Sequence, residues 1–189
     1  SKNFKRYFKN FKKSGRPFAA VIKNKRCNIT IVDTGLSTMT GGRLKRIKRF
    51  VGSNEDFMFT YGDGISSVNL HKLVKFHKSK KKLITVTAVR PPARFGEILL
   101  DKSRVKSFKE KPQVTNGWIN GGFFIAKKKF LDLIKGDQDI LEKKPLENVS
   151  KKRQLMAFKH EGFWKCMDTL RDKIDLEHIL KSKGPIWKK

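Results

Sequence analysis

Residues 57–67 read FMFTYGDGISS. An apolar run, Phe57-Met58-Phe59-Thr60-Tyr61, ends in an aspartate held between two glycines, Gly62-Asp63-Gly64. The run predicts a core strand over 57–61. Its end has two readings. Asp and Gly are ordinary turn residues, so the triplet fits a plain strand-to-turn junction. It equally fits a carboxylate at the carboxyl end of a core strand, where open α/β sheets bind ligands. Flanking glycines would then let a bulky, charged ligand approach the backbone. Partners for Asp63 elsewhere in the chain decide between the two.

The chain has 189 residues, enough for one sizeable domain. Hydrophobic residues make up 38%, with 15 phenylalanines, so a packed core is expected rather than a disordered tail. No stretch approaches the roughly 18 apolar residues of a membrane span, and the start has no signal-peptide pattern. The two cysteines, Cys27 and Cys166, form no metal or redox spacing. A reduced, cytoplasmic protein is expected. The formal charge of +28 comes from 34 Lys and 11 Arg against 17 acidic residues. Readers of nucleic acid lean on the planar fork of Arg. Here lysines occur in nearly every surface-like segment, which suits a composition bias as well as a binding face. Such a charge attracts polyanions and phosphorylated substrates without specificity.

Residues 2–13 place Phe4, Tyr7, Phe8 and Phe11 on one face of an amphipathic helix. An exposed aromatic face there would favour self-association into a homo-oligomer. A strand is expected at 28–32, a helix over 43–51, a helix over 69–79 and a β-branched strand over 83–89. Short strands follow near 96–100, 104–108 and 118–126. Helices near 127–135 and 145–152, a strand at 155–158 and a last helix over 169–182 complete the chain. The early alternation of strand and helix favours a parallel, doubly wound α/β sheet. The later short strands suggest an added β-rich region.

Four stretches occur together that propensity does not demand: VDTGLSTMTGGRLKR (32–46), FTYGDG (59–64), SFKEKP (107–112) with WINGGFF (118–124), and FWKCMDTLRD (163–172). As an ordered set, running from about residue 28 to the C-terminus, they resemble the sugar-nucleotidyltransferases. The resemblance implies a Rossmann-like α/β fold: a mixed, mostly parallel sheet flanked by helices, with a smaller β-rich sugar-binding region. It implies a single domain over 1–189, with a nucleotide and metal half at 28–90 and a sugar-binding half at 91–189. The implied reaction joins a nucleoside triphosphate to a sugar 1-phosphate with release of pyrophosphate. In the subgroup most resembled, the partners are CTP and α-D-glucose 1-phosphate, and the product is CDP-glucose.

The resemblance also assigns residues. Asp63 and Asp168 match the family's two ligands for Mg²⁺, a hard cation suited to carboxylate and phosphate oxygens. Gly62 and Gly64 would leave room for the nucleotide. Thr38 and Arg43 match the nucleotide pocket, where an Arg donor suits the O2 and N3 acceptors of cytosine. Gly41 and Gly42, at a helix start, would offer backbone N–H groups to the ligand. Glu110 would accept from sugar hydroxyls and Lys111 would meet the sugar phosphate as a catalytic cation. Asn120 and Gly121 would contact the hexose, with Gly96 letting it lie close. Taken alone, several of these have plainer readings: Glu110-Lys111-Pro112 as a solvated turn, Gly121-Gly122 as a bulge, Asp168 as part of a helix cap.

One departure from the family is large. Its N-terminal strand, GGxGTR loop and KP lysine have no counterpart here, and the sequence begins at Ser1. Residues 1–13 match the helix after the family's second strand. The missing first strand would leave the strand at 57–61 with an unpaired edge. The chain is therefore expected to be an N-terminally truncated form or a fragment completed by another segment, weakly active or inactive alone. Two alternatives stand beside the enzyme: a degenerate relative that binds sugar phosphate without turnover, and a basic nucleic-acid-binding module.

Overall fold

The computed structural model describes residues 19–23, 28–52, 56–91, 97–109 and 117–187. The expected helix over 2–13 lies outside them, as do Gly96, Glu110 and Lys111. The chain divides into two compact units, residues 1–53 with 131–145, and residues 54–130 with 146–189.

The larger unit is built on a four-stranded sheet. Its strands are β3 (Asp56–Thr60), β8 (Ile119–Lys127), β5 (Ile84–Val89) and β9 (Leu155–His160), hydrogen-bonded in that order. β8 runs antiparallel to both β3 and β5, and β9 is parallel to β5. Three of the four strands therefore point one way, and β8 alone runs against them. The mixed sheet expected from the sequence is present, with three co-directional strands, although of its three pairings only β5–β9 is parallel.

Position in the sheet explains the sequence of each strand. β5 and β8 are paired on both sides and read as nearly continuous apolar or β-branched runs, ITVTAV and INGGFFIAK. Ile84, Val89, Phe124, Ile125 and Ala126 are all buried. β3 and β9 alternate in exposure, as outer strands of the described sheet do. Phe59 stacks on Phe124 across the β3–β8 pair, with ring centroids 4.6 Å apart.

Helix α2 (Leu70–Lys80) covers one face. The side chain of Asn69 caps it by accepting from Lys72 N at 2.9 Å, and Lys81 closes it in the left-handed conformation (φ 52°). It buries Leu73 and His77, and Phe76 meets Phe158 of β9 edge-on. Two small antiparallel pairs accompany the sheet: β4 (Gly64–Ser66) with β10 (Trp164–Cys166), and β6 (Glu97–Asp101) with β7 (Arg104–Lys109). The last helix, α4 (Leu170–Lys183), begins in a capping box between Thr169 and Asp172.

In the smaller unit, β1 (Ala19–Lys23) pairs antiparallel with β2 (Asn28–Val32). The helix expected over 43–51 is two pieces, α1 (Thr40–Arg46) and a 3-10 turn at Lys48–Phe50. The segment expected as a helix over 127–135 is a 3-10 helix, Lys128–Leu133. The helix expected at 145–152 is α3 (Lys144–Lys151), of which all but the first two residues belong to the larger unit. β1 is not among the strands expected from the sequence, and β4 and β10, three residues each, carry no pattern long enough to be read from it.

His77 is a buried titratable group, 2% exposed, with Nδ1 2.8 Å from the Thr85 hydroxyl. Its Nε2 lies 3.6 Å from Asp56, which also faces Lys127 at 3.7 Å. Burial holds the imidazole below its ordinary value of 6.5, against the opposing pull of Asp56. The unfolded chain therefore takes up the proton first as pH falls. The stability that neutral His77 contributes is present above about pH 6.5 and is lost as pH falls towards its lower native value. Urea midpoints of the wild type and His77→Gln should converge between about pH 7.5 and pH 5. A constant difference would show that His77 does not titrate with folding.

Candidate functional site

The carboxyl ends of β3, β5 and β9 and the amino end of β8 lie at one edge of the sheet, as their pairings require. β3 leads through Tyr61-Gly62-Asp63 directly into β4. β4 pairs with β10 in the register Gly64↔Cys166, and one further bond, from Met167 N to Asp63 O (2.9 Å), extends the ladder. Asp63 and Asp168, 105 positions apart in the chain, thus flank the same end of one two-stranded ladder, and both are exposed.

Asp168 directly precedes the cap of α4 and is not the N-cap itself, because Thr169 caps the helix and Asp172 completes the box. Asp172 is held below the usual carboxylate range by its hydrogen bonds to Thr169. The Asp168 carboxylate instead accepts the Cys166 thiol at 3.2 Å. Burial, followed by the nearby Asp168, pushes that thiol up to about 11, so it stays protonated and donates at neutral pH. Two exposed carboxylates fit the sparse protein ligation of Mg²⁺, which keeps water and phosphate oxygens for its other positions. Among the described residues, no group of three or more His, Cys, Asp or Glu side chains could hold a metal.

The glycines divide by what surrounds them. A Cβ placed on Gly62 or Gly64 would meet nothing within 4 Å, and neither has a positive φ. No described part of the protein demands glycine there. A Cβ on Gly121 would come within 2.8 Å of Val89 and 2.9 Å of the Thr87 carbonyl, where the β5–β8 register shifts between Val86 and Ala88. The bulge reading therefore accounts for Gly121. Its carbonyl accepts the Trp164 indole N–H at 2.8 Å. Asn120, the neighbouring candidate, is exposed and bonded at both ends of its amide, to Tyr61 and to Gly122.

In the smaller unit, the expected role of Gly41 and Gly42 as ligand-facing N–H donors is corrected. Both N–H groups donate to the Asp139 carbonyl, at 2.9 and 3.2 Å, and Met39 N donates to Asp137 O at 2.8 Å. The segment at 137–139 satisfies the amide groups that a helix start leaves unpaired. A Cβ on Gly41 would lie 2.6 Å from Asp139 O, and one on Gly42 2.5 Å from Asp137 O. These glycines exist for close backbone packing.

Arg46 grips Asp137 with Nε and Nη2 at 2.8 and 2.6 Å, a charge-assisted fork that lowers the Asp137 value and raises that of Arg46. Its Nη1 donates to Thr34 O. Arg43 donates to the Thr34 hydroxyl at 2.8 Å and to Leu36 O at 3.1 Å. The two arginines thus shape the turn at 33–37, beside which Thr38 is buried. Sequence reasoning singled out Arg43 but missed Arg46, Asp137 and Tyr61. The run GGRLKR held the only signal for Arg46, which lies one helical turn beyond Gly42 and Arg43.

The sheet and its edge define an α/β protein of the kind that places ligand-binding groups at strand carboxyl ends. The sequence matches the nucleotidyl transferase family over residues 2–178. The chain belongs to that family. It is 48% identical over 162 residues to the glucose-1-phosphate cytidylyltransferase of Salmonella typhi, covering 85% of this chain and 63% of the relative. It is 33% identical over 136 residues to mannose-1-phosphate guanylyltransferase 1 of Arabidopsis thaliana, covering 69% of this chain and 38% of the relative. A crystal structure from Bacillus anthracis, described as a candidate glucose-1-phosphate thymidylyltransferase in complex with a sucrose, shares the fold. Its TM-score is 0.56 at 18% identity, over 77% of this chain and 62% of that one. The chain thus spans a little under two thirds of the length of the cytidylyltransferase that it matches. No helix among the described residues is long and apolar enough to cross a membrane.

Stability should separate the two kinds of glycine. Gly42→Ala should lose about 1–3 kcal/mol, as overpacking against fixed backbone does. Gly62→Ala should stay within about 0.5 kcal/mol of wild type, since its surroundings are open. Urea denaturation of both variants checks this, and equal losses would refute the distinction.

Proposed function

We propose that the protein transfers a cytidylyl group from CTP to α-D-glucose 1-phosphate, giving CDP-glucose and pyrophosphate. The observation that carries the reading is the β4–β10 register, which brings the two motif aspartates to one ladder end beside open glycines. The higher identity to a cytidylyltransferase than to a guanylyltransferase supports CTP as the donor.

In the reaction, a phosphate oxygen of glucose 1-phosphate attacks the α-phosphorus in line. A new P–O bond forms as the bond from the α-phosphorus to the bridging α–β oxygen breaks, and pyrophosphate leaves with that electron pair. Two polyanions must meet, so positioning and neutralisation carry the catalysis. Asp63 and Asp168 would hold Mg²⁺, which when bound would neutralise charge on the triphosphate and leaving group. Gly62 and Gly64 leave the space that the nucleotide would occupy. Asn120 would hydrogen-bond the hexose, with Gly121 and Gly96 beside it. Glu110 would accept from sugar hydroxyls and Lys111 would meet the sugar phosphate. Thr38 and Arg43 would line the base pocket.

In a form of the protein that shows Mg²⁺-dependent pyrophosphate release, Asp63→Asn should lower that release by about 10²-fold or more, the scale of losing a main electrostatic group. Release at the wild-type rate would remove Asp63 as a ligand. Arg43→Ala should narrow the preference for CTP over UTP in competition assays, through lost donors and a loosened 33–37 turn. An unaltered ratio would end that role.

A further inference from the structure

We propose that Tyr61 is a positioning residue for the sugar phosphate, acting by locking the side-chain amide of Asn120. The inference rests on the reading of Asn120 as a hexose contact. Gly122 N donates to Asn120 Oδ1 at 2.9 Å, and this bond fixes which end of the amide is oxygen. Asn120 Nδ2 therefore faces the Tyr61 hydroxyl and donates to it at 3.1 Å. An exposed asparagine would ordinarily sample several rotamers. Here both ends are tied, which removes that freedom before a ligand arrives.

The tyrosine is itself held in place. Tyr61 N donates to Gly122 O at 3.3 Å, and the ring meets Phe124 edge-on at 5.7 Å. Gly122 has φ +79°, and a Cβ there would lie 2.8 Å from the Tyr61 ring, so glycine is what admits the ring against β8. Tyr61 also directly precedes Gly62-Asp63, so one residue sets both the amide and the start of the turn that carries Asp63. Beyond its two bonds, the Asn120 amide keeps one N–H and one lone pair. That pair of groups matches a sugar hydroxyl, which donates and accepts at once.

Tyr61→Phe removes only the hydroxyl and keeps the ring against Gly122 and Phe124. By calorimetry on the full chain, the Kd for α-D-glucose 1-phosphate should rise roughly 3- to 10-fold, the scale of one hydrogen bond. The Kd for CTP with Mg²⁺ should stay within about twofold. In an Asn120→Ala background, Tyr61→Phe should add nothing further, a non-additivity that a purely structural tyrosine would not produce. The Asn120 side-chain ¹⁵N–¹H₂ resonances should shift in Tyr61→Phe. Unchanged resonances would overturn the lock whether or not sugar phosphate binds. Unchanged sugar affinity with shifted resonances would overturn the positioning role. If wild type binds no glucose 1-phosphate, the functional reading fails and the positioning role falls with it. The resonances then still decide separately whether the lock exists.

Discussion

β8 is the strand on which the larger unit depends. It is hydrogen-bonded on both edges, and it is the one strand of the four that runs against the others. An antiparallel strand between two co-directional neighbours places its amino end beside their carboxyl ends. Trp118, Asn120 and the two glycines therefore reach the edge where β3 delivers Asp63. With β8 parallel, the same residues would lie at the opposite edge, away from Asp63. Burial reinforces the arrangement: Phe124, Ile125 and Ala126 are almost wholly covered, and each such side chain contributes on the order of 1.5–3 kcal/mol when large.

Glycine has different physical meanings at different positions among the described residues. Gly41, Gly42 and Gly121 stand where another backbone passes too close for a Cβ. Gly122 combines a left-handed backbone with a close tyrosine ring. Gly62 and Gly64 meet no such constraint from the described protein. Gly52 and Gly136 are equally open, so it is the position on either side of Asp63, together with the open space, that distinguishes Gly62 and Gly64.

The basic charge reads differently in the folded chain. Several cations have local work: Arg46 on Asp137, Lys165 on Asp175 at 2.6 Å, and Arg43 on its own turn. Arg90 lies over the Trp118 ring at 4.4 Å, and Lys159 over the same ring at 5.4 Å, at the strand ends. These contacts account for particular positions.

Local pattern was enough for α2, β5, β8 and α4, because each carries its periodicity, β-branching or cap within its own length. The ordered motifs were likewise sufficient for the family, and they named Asp63 and Asp168, which the β4–β10 ladder brings to one end. Sequence could not reveal the three-residue strands β4 and β10, which are too short for any period and exist only through each other. Nor could it show that the amide groups of Gly41 and Gly42 are already satisfied, since Asp139 lies almost a hundred residues away. The Asn120–Tyr61 bond spans 59 positions and depends on the antiparallel register of β8. Propensity acts between near neighbours along the chain; register, close backbone approach and the pairing of distant polar groups arise only when strands meet in space.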